Sequence, residues 1–199
     1  MKIVVATKNN GKLKEFKKIL IGHEVLSQAE VGIAADVVED GQTFEENALK
    51  KAREVARLSG ALTVADDSGL VVDYLDGQPG IYSARFAGEP SDDEKNIDKL
   101  LSLLEGVPTQ RRTARFVSVI AACFPDGREI VARGECEGLI TTSRCGSGGF
   151  GYDPVFYVSG FNKTFAEMPD SLKNEISHRA LALQQFKLEL ANAENIVNQ

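Results

Sequence analysis

The order of apolar and polar positions at the start of the chain predicts a strand, a polar turn and a helix. Residues 2–6 read KIVVA, a run with the β-branched content of a buried strand. The polar segment Thr7–Lys12 follows, and Leu13, Phe16 and Leu20 then recur at helical spacing. A strand that feeds a helix through a short turn is the repeating unit of α/β proteins.

Helix start signals recur further along the chain. The segment Thr43–Glu46 reads as a capping box. The apolar stripe of the helix that it opens consists of Phe44, Ala48, Ala52 and Val55. A second capping box at Ser91–Glu94 predicts a helix through Leu104, and a last helix is predicted over about Ser177–Leu190.

Strand patterns fill the intervals between these helices. Leu62–Ala65 is a buried strand that Asp66–Gly69 interrupts before Leu70–Val72 resumes strand character. Alternation over Ala114–Phe124 and Glu129–Ile140, around an Asp-Gly turn, predicts an antiparallel hairpin. The sequence therefore predicts an α/β fold with a mixed sheet.

Composition limits the kinds of partner. With 199 residues and 43% hydrophobic residues, residues 1–199 are expected to form a single domain with two lobes. The net charge of -6 repels nucleic acid polymers and anionic membranes, and no segment has the length of a membrane span or a signal peptide. A phosphate-bearing small molecule therefore requires local cations or a metal ion.

The cysteines indicate the compartment. Cys123, Cys136 and Cys145 are odd in number and lack CxxC spacing, which argues against a disulfide framework and a zinc site. We interpret them as reduced thiols of a cytoplasmic protein.

Acidic residues around the interrupted strand are candidates for a metal site. Two carboxylates after an apolar strand are costly unless they meet a cation, and Mg²⁺ binds one or two carboxylates together with water and phosphate. Because neighbouring strand residues face opposite sides, only one of Asp66 and Asp67 is expected to face the site. Glu39, Glu45 and Glu46 remain alternatives for the second metal ligand. The alternative to a metal site is that Asp66 and Asp67 belong to a turn that ends the strand.

Two further segments are candidates for nucleotide contacts. The Thr7–Lys12 turn at a helix N-terminus offers backbone N–H groups and two lysines to a phosphate, although it is not a Walker A motif. In the glycine-rich loop of residues 146–153, Phe150 offers a ring for base stacking. Arg179, next to His178 after a Ser177 N-cap, can donate to a 6-oxo purine. The alternatives are that Thr7–Lys12 is a solvated turn, that Phe150 lies in the core, and that His178 and Arg179 belong to an ordinary helix cap.

Six segments, taken in order, resemble the inosine/xanthosine triphosphate pyrophosphatase family, which removes deaminated purine nucleotides. The matching segments are Thr7–Lys12, Thr43–Ala48, Ala65–Leu70, Pro79–Arg85, Gly148–Pro154 and Ser177–Arg179. The resemblance covers nearly the whole chain. It implies an elongated mixed α/β fold with two lobes around a central cleft, and a homodimer.

The resemblance also implies roles for individual residues. Asp67 is the expected catalytic residue and Mg²⁺ ligand, Glu39 the second metal carboxylate, and Lys51 a phosphate contact. The remaining expected substrate contacts are Thr7, Lys8, Asn9, Asn10, Gly11, Lys12, Ser68, Phe150, Gly151, Tyr152, Asp153, Lys173, His178 and Arg179. The expected reaction converts ITP, dITP or XTP to the monophosphate and pyrophosphate.

Rival functions stay open at this point. A pyrophosphatase for modified pyrimidine nucleotides shares the reaction but needs a smaller base pocket. A noncatalytic nucleotide-binding regulator requires neither Asp67 nor Mg²⁺. A haloacid-type phosphatase is disfavoured because Asp66–Gly69 lacks the DxD arrangement of that class.

Overall fold

Helices and strands alternate along the chain in the computed structural model, which describes the backbone of residues 1–197 and the side chains of residues 1–9 and 11–193. The strands are β1 (Lys2–Val5), β2 (Glu24–Ser27), β3 (Leu62–Val72), β4 (Thr113–Cys123), β5 (Glu129–Ile140), β6 (Phe156–Val158) and β7 (Lys163–Thr164). The helices are α1 (Asn10–Ile19), α2 (Phe44–Ser59), α3 (Asp93–Leu103), α4 (Asp170–Ile176) and α5 (His178–Val197).

Within the described chain, the seven strands form one sheet in the order β2-β1-β3-β4-β5-β6-β7. β1 is parallel to both β2 and β3, whereas β6 is antiparallel to β5 and β7. At the two ends of the β4–β5 pair, Phe124 N–H donates to Arg128 O and Ile140 N–H donates to Arg112 O. These bonds belong to one antiparallel register, which confirms the predicted hairpin and the mixed α/β sheet.

The described chain divides into two compact units. The first contains Met1–Asp67, Ser118–Gly134 and the chain from Leu181 onward. Its core is built by the first strands, α1 and α5, and the largest fully buried side chains there are Ile3, Phe16, Leu20, Ile120 and Phe186. Each such side chain contributes roughly 1.5–3 kcal/mol when it leaves water. The predicted α2 stripe is also buried.

The second unit contains Ser68–Val117 and Glu135–Ala180 and has a core of its own. Three aromatic rings meet in this core. Phe116 lies 4.6 Å from Phe156 and 5.7 Å from Phe165, measured between ring centroids. Each such pair contributes about 0.5–1.5 kcal/mol to stability beyond the contribution of buried area. This packing therefore stabilises the unit that carries the glycine-rich loop.

Three local predictions were wrong in detail. β3 runs through Asp66–Gly69 without interruption, so the acids lie inside a strand rather than after it. The N-cap of α3 is Asp92, which accepts from Lys95 N–H, because the hydroxyl of Ser91 donates to Ala84 O instead. The last helix continues to Val197.

No helix within residues 1–197 combines the length and the apolar character that crossing a bilayer requires.

Candidate active site

Asp66 is a buried counter-ion for a lysine in the first unit. Its Oδ2 lies 2.5 Å from Lys12 Nζ, and its Oδ1 accepts from Ser118 Oγ at 2.6 Å. The carboxylate is fully buried. A charge-assisted bond on each oxygen satisfies this carboxylate and fixes the direction of the Lys12 ammonium.

Asp67 differs from its neighbour Asp66 in having one carboxylate oxygen without a hydrogen-bond partner among the described residues. Its Oδ1 lies 3.4 Å from Lys51 Nζ, whereas Oδ2 is buried and has no hydrogen-bond partner among the residues described. Burial raises the pKa of Asp67 to about 6, and nearby Glu39 adds to the rise while Lys51 opposes it. The carboxyl therefore titrates close to neutrality, where an acid-base residue is most useful.

Lys51 connects the groups of this cluster. Its Nζ donates to Asp66 O at 2.9 Å and lies 3.1 Å from Glu39 Oε1. Burial opposes its positive charge, but the carboxylates of Asp67, Glu39 and Asp66 outweigh burial and raise the pKa of Lys51. The lysine is consequently charged at neutral pH.

These residues fit a magnesium site built from few protein ligands. Among the described side chains no group of three or more His, Cys, Asp or Glu forms a metal cage. Mg²⁺ does not need one, because one or two carboxylates plus water and phosphate suffice. The carboxylates of Asp67 and Glu39 supply that donor set: both pair with Lys51 Nζ, and Asp67 Oδ2 has no hydrogen-bond partner among the described residues.

The other two acids considered as second ligands have different partners. Glu45 Oε1 pairs with Arg133 at 2.6 Å, and Glu46 Oε2 accepts from Gln42 N–H at 2.7 Å. Thr43 Oγ1 accepts from Glu46 N–H, so the N-cap half of the predicted capping box forms. Glu39 is therefore the acid that the fold brings next to Lys51, beside Asp67.

Side chains of the Thr7–Lys12 turn accept hydrogen bonds from some of its backbone N–H groups. Asn9 is the N-cap of α1, and its Oδ1 accepts from Gly11 N–H at 2.8 Å and Lys12 N–H at 3.1 Å. Thr7 Oγ1 accepts from Asn9 N–H at 3.1 Å. The Thr7 hydroxyl, the Asn9 amide nitrogen and the lysines are further donors of this turn.

Lys8 and Asn10 also belong to this turn. Lys8 Nζ lies 2.9 Å from Asp36 Oδ1, and both side chains are exposed. The side chain of Asn10 lies outside the described part of the chain. Because exposed ion pairs are weak, little free energy is needed to separate Lys8 from Asp36. The Lys8 ammonium can therefore pair with a ligand in place of Asp36.

The glycine-rich loop of the second unit is organised by Asp153. Its Oδ2 accepts from Phe150 N–H at 2.8 Å and from Lys173 Nζ at 2.5 Å. A Cβ at Gly149, which has a φ of 74°, would lie 1.9 Å from that same oxygen, so only glycine fits there. Burial raises the pKa of Asp153, although Lys173 counteracts this.

Phe150 has an exposed ring with cations beside it. Phe150 is 45% exposed, so part of the residue is accessible to a stacking partner. Lys173 Nζ lies 5.0 Å from the ring centroid and the Arg179 guanidinium 5.9 Å from it. The second unit thus combines an aromatic face with positively charged donors.

Arg179 also reaches the strand that carries the acids. Its Nη2 donates to Ser68 Oγ at 3.0 Å, and Ser68 is bonded through the chain to Asp67. Ser177 Oγ accepts from Ala180 N–H at 3.3 Å, as its predicted N-cap role requires. His178 is buried, with its ring stacked on Phe116 at 4.7 Å between centroids.

Two predicted contact residues have partners inside the protein. The Tyr152 hydroxyl is buried and donates to Ser83 O at 2.8 Å, and burial raises the pKa of this phenol. Gly151 N–H donates to Asp93 Oδ2 at 2.9 Å. Ser83, which accepts from Leu70 N–H at 2.8 Å, is a positioning residue that the sequence signalled only through its place in the Pro79–Arg85 segment.

Ser118 and Asn47 were missed at the sequence level. A single polar residue between Val117 and Val119 in an apolar strand was the available signal for Ser118. Asn47 lies in the buried face of α2, where its neighbours are apolar. Both side chains bond to parts of the charged cluster or to the loop that carries Glu39.

Comparison with known proteins agrees with this geometry. The sequence model of the Ham1 family matches residues 3–189. The dITP/XTP pyrophosphatase of Desulforamulus reducens is 54% identical over 194 residues, which cover 96% of each chain. That of Shouchella clausii is 51% identical over 186 residues, which cover 93% of this chain and 94% of the relative.

A solved structure extends the match to three dimensions. The Staphylococcus aureus Ham1 protein superposes with a TM-score of 0.90 at 42% identity, covering 97% of this chain and 100% of that one. The predicted resemblance is thereby confirmed. Because sequence and structure match from the first strand into the last helix, the chain belongs to the Ham1 family.

Proposed function

We propose that the protein hydrolyses deaminated purine nucleoside triphosphates, ITP, dITP and XTP, to the nucleoside monophosphate and pyrophosphate, which keeps them out of DNA and RNA. The observation that carries this proposal is the Asp67 carboxylate: its Oδ1 lies near Lys51, which also pairs with Glu39, and its buried Oδ2 has no hydrogen-bond partner among the described residues. The relatives named as dITP/XTP pyrophosphatases at about half identity support the substrate class.

In this proposal the first unit holds the triphosphate. Asp67 and Glu39 are the protein ligands of Mg²⁺. The ion, when bound, supplies Lewis-acid polarisation and neutralises phosphate charge. Lys12 and Lys51 face the phosphate oxygens, and an opposite charge at 4 Å is worth about 4 kcal/mol at an effective dielectric of 20.

Asp67 carries the proton transfer of the reaction. A water oxygen attacks the α-phosphorus, the bond from that phosphorus to the bridging oxygen breaks, and pyrophosphate departs with the electron pair. The water's proton passes to the Asp67 carboxylate, which acts as the general base. Lys12 and Lys51 offset the charge that grows on the departing oxygens.

The second unit recognises the base in this proposal. The exposed Phe150 ring stacks on the purine, which contributes roughly 1–3 kcal/mol without distinguishing bases. Discrimination then depends on Lys173 and Arg179, which are donors without an acceptor function. A 6-oxo group accepts from them, whereas the amino group of adenine is itself a donor and does not.

A pyrophosphate-release assay tests the proposal. We expect Mg²⁺-stimulated release of pyrophosphate from ITP, dITP and XTP, with much lower rates on ATP and modified pyrimidine triphosphates. Preference for modified pyrimidines would replace the substrate class. Tight binding without turnover would favour a noncatalytic regulator, and release of phosphate in place of pyrophosphate would favour a phosphatase.

We also propose a cytoplasmic homodimer in which both units form a single functional domain. Free Cys123 and Cys136, both buried, support a reducing compartment. Light scattering coupled to size exclusion tests the dimer, because a mass equal to one 21.6 kDa chain would contradict it. That one cleft joins the phosphate and base contacts stays a prediction from the resemblance.

A further inference from the structure

The loop that carries Glu39 is anchored to α2 by its backbone. Gly41 N–H donates to Asn47 Oδ1 at 2.8 Å. A Cβ at position 41 would lie 2.7 Å from that oxygen and 2.8 Å from Glu46 Cβ. The loop therefore touches the helix where only glycine allows so close an approach.

Asn47 occupies this position at an energetic disadvantage. It is 1% exposed, and its Nδ2 is buried without a hydrogen-bond partner in the described part of the chain. An unsatisfied buried donor is destabilising, and an apolar side chain of similar shape would avoid that cost. What asparagine supplies in return is the acceptor for Gly41 N–H.

The anchor lies close to the proposed metal ligand in the chain. Glu39 precedes Gly41 by two residues, and its carboxylate lies 3.1 Å from Lys51. Lys51 follows Asn47 by four residues and therefore lies on the same face of the helix. One helix face thus holds the loop through Asn47 and meets its carboxylate through Lys51.

Another tether on the same loop is too weak to set its position. Asp40 pairs with Lys50, and the two side chains are 67% and 41% exposed. Exposed pairs of this kind contribute little to stability and are screened by salt. The part-buried Gly41–Asn47 bond is a more sheltered contact between this loop and α2.

We propose that Asn47 is a positioning residue for the metal site, which holds the Glu39 carboxylate in place through Gly41. This inference rests on the proposed function, because it assigns Asn47 a part in binding the Mg²⁺ that the reaction uses. Residues that orient a metal ligand typically change metal affinity by about 10–100-fold when they are removed.

The test compares divalent-ion binding and kinetics in full-length variants. In Asn47→Ala we expect at least about 10-fold weaker Mn²⁺ binding by electron paramagnetic resonance, and an equal rise in the Mg²⁺ concentration for half-maximal rate. Gly41→Ala breaks the same bond from the loop side and should give the same two changes. In both variants the rate at saturating Mg²⁺ should fall less than the affinity.

Two controls separate positioning from general destabilisation. Gly60, the C-cap of α2, has a φ of 63°, so Gly60→Ala strains the other end of the helix. This variant should lose stability and keep wild-type Mn²⁺ affinity. In a Glu39→Gln background, adding Asn47→Ala should weaken Mn²⁺ binding no further.

The outcomes distinguish this inference from the proposed function. Wild-type Mn²⁺ affinity in Asn47→Ala, or an equal loss of affinity in Gly60→Ala, would overturn the positioning role alone. A wild-type protein that binds no Mn²⁺ and releases no pyrophosphate would remove the proposed function and this inference with it.

Discussion

Each of the two units contains a cluster of carboxylates and cationic side chains, and the net charges of the two clusters have opposite signs. In the first unit three carboxylates, those of Asp66, Asp67 and Glu39, accompany Lys12 and Lys51. In the second unit a single carboxylate, Asp153, accompanies Lys173 and Arg179. One cluster keeps an excess of negative charge, which suits a metal ion, and the other an excess of positive charge, which suits an oxygen-bearing base.

The clusters also differ in how far their carboxylates are satisfied. Asp153 Oδ2 accepts from a backbone N–H and from Lys173, whereas Asp67 Oδ2 is buried without a partner within the described residues. A satisfied carboxylate holds a loop in shape, while an open one is available for chemistry. Substitutions that reduce these differences are the most informative.

The largest effect is expected for Asp67→Asn, which keeps the shape and removes the charge. Turnover should fall by roughly 10²–10⁴-fold, because the variant has no base for the attacking water. Far-ultraviolet circular dichroism should match the wild type. Asp126→Asn, in an exposed turn of the same unit, is the matched control and should keep full activity. Near-normal turnover in Asp67→Asn would remove Asp67 from the mechanism.

Lys173→Met should destabilise the second unit most. The substitution leaves Asp153 as a buried carboxylate without its ion-pair partner, which costs about 3–5 kcal/mol. Chemical denaturation should register this loss, and KM for XTP should rise. Adding Asp153→Asn should recover most of the stability; a double variant as unstable as the single one would contradict the assigned pairing.

Ser118→Ala tests the counter-ion role of Asp66. The change removes the hydroxyl that donates to Asp66 Oδ1 and should lower the free energy of unfolding by about 1–3 kcal/mol. KM for the triphosphate should rise as well, because the orientation of Lys12 loosens. Ser102→Ala, at an exposed helix position, should alter neither quantity. An unchanged KM in Ser118→Ala would show that Ser118 contributes to the stability of the fold and not to substrate binding.

The smallest effect concerns pH in the absence of metal. The folded pKa of Asp67, about 6, lies above the ordinary value of 3.8, so the folded state holds the proton more tightly. This contribution to stability is full below 3.8 and is lost as pH rises through about 6. In EDTA, the stability of the wild type relative to Asp67→Asn should fall by about 1 kcal/mol from pH 5 to 7. Parallel stability curves would contradict the raised pKa.

Local patterns predicted the elements well. The α2 stripe and the Ser177 cap depend on residues within a few positions of each other, and helical spacing determines both. The hairpin of β4 and β5 followed from alternation and an Asp-Gly turn for the same reason. The segments that carry the site were found because each keeps its chemistry in a short motif.

The division of labour between Asp66 and Asp67 was beyond local patterns. Asp66 is committed through Ser118, which lies 52 residues away in the chain. Such a contact follows from sheet order and packing, which the pattern of one sequence does not specify. The N-cap role of Asn9 is different, because its Oδ1 accepts from N–H groups only two and three residues further on. The local pattern carried that signal, but the prediction assigned those N–H groups to a phosphate.

The central claim is that the carboxylates of the first unit bind the divalent ion and that the cations of the second do not take part. Water-proton relaxation during Mn²⁺ titration tests it in wild type, Asp67→Asn and Arg179→Met. The account predicts that Asp67→Asn loses the Mn²⁺ signal while Arg179→Met keeps wild-type affinity. Retention of wild-type Mn²⁺ affinity by Asp67→Asn would contradict it.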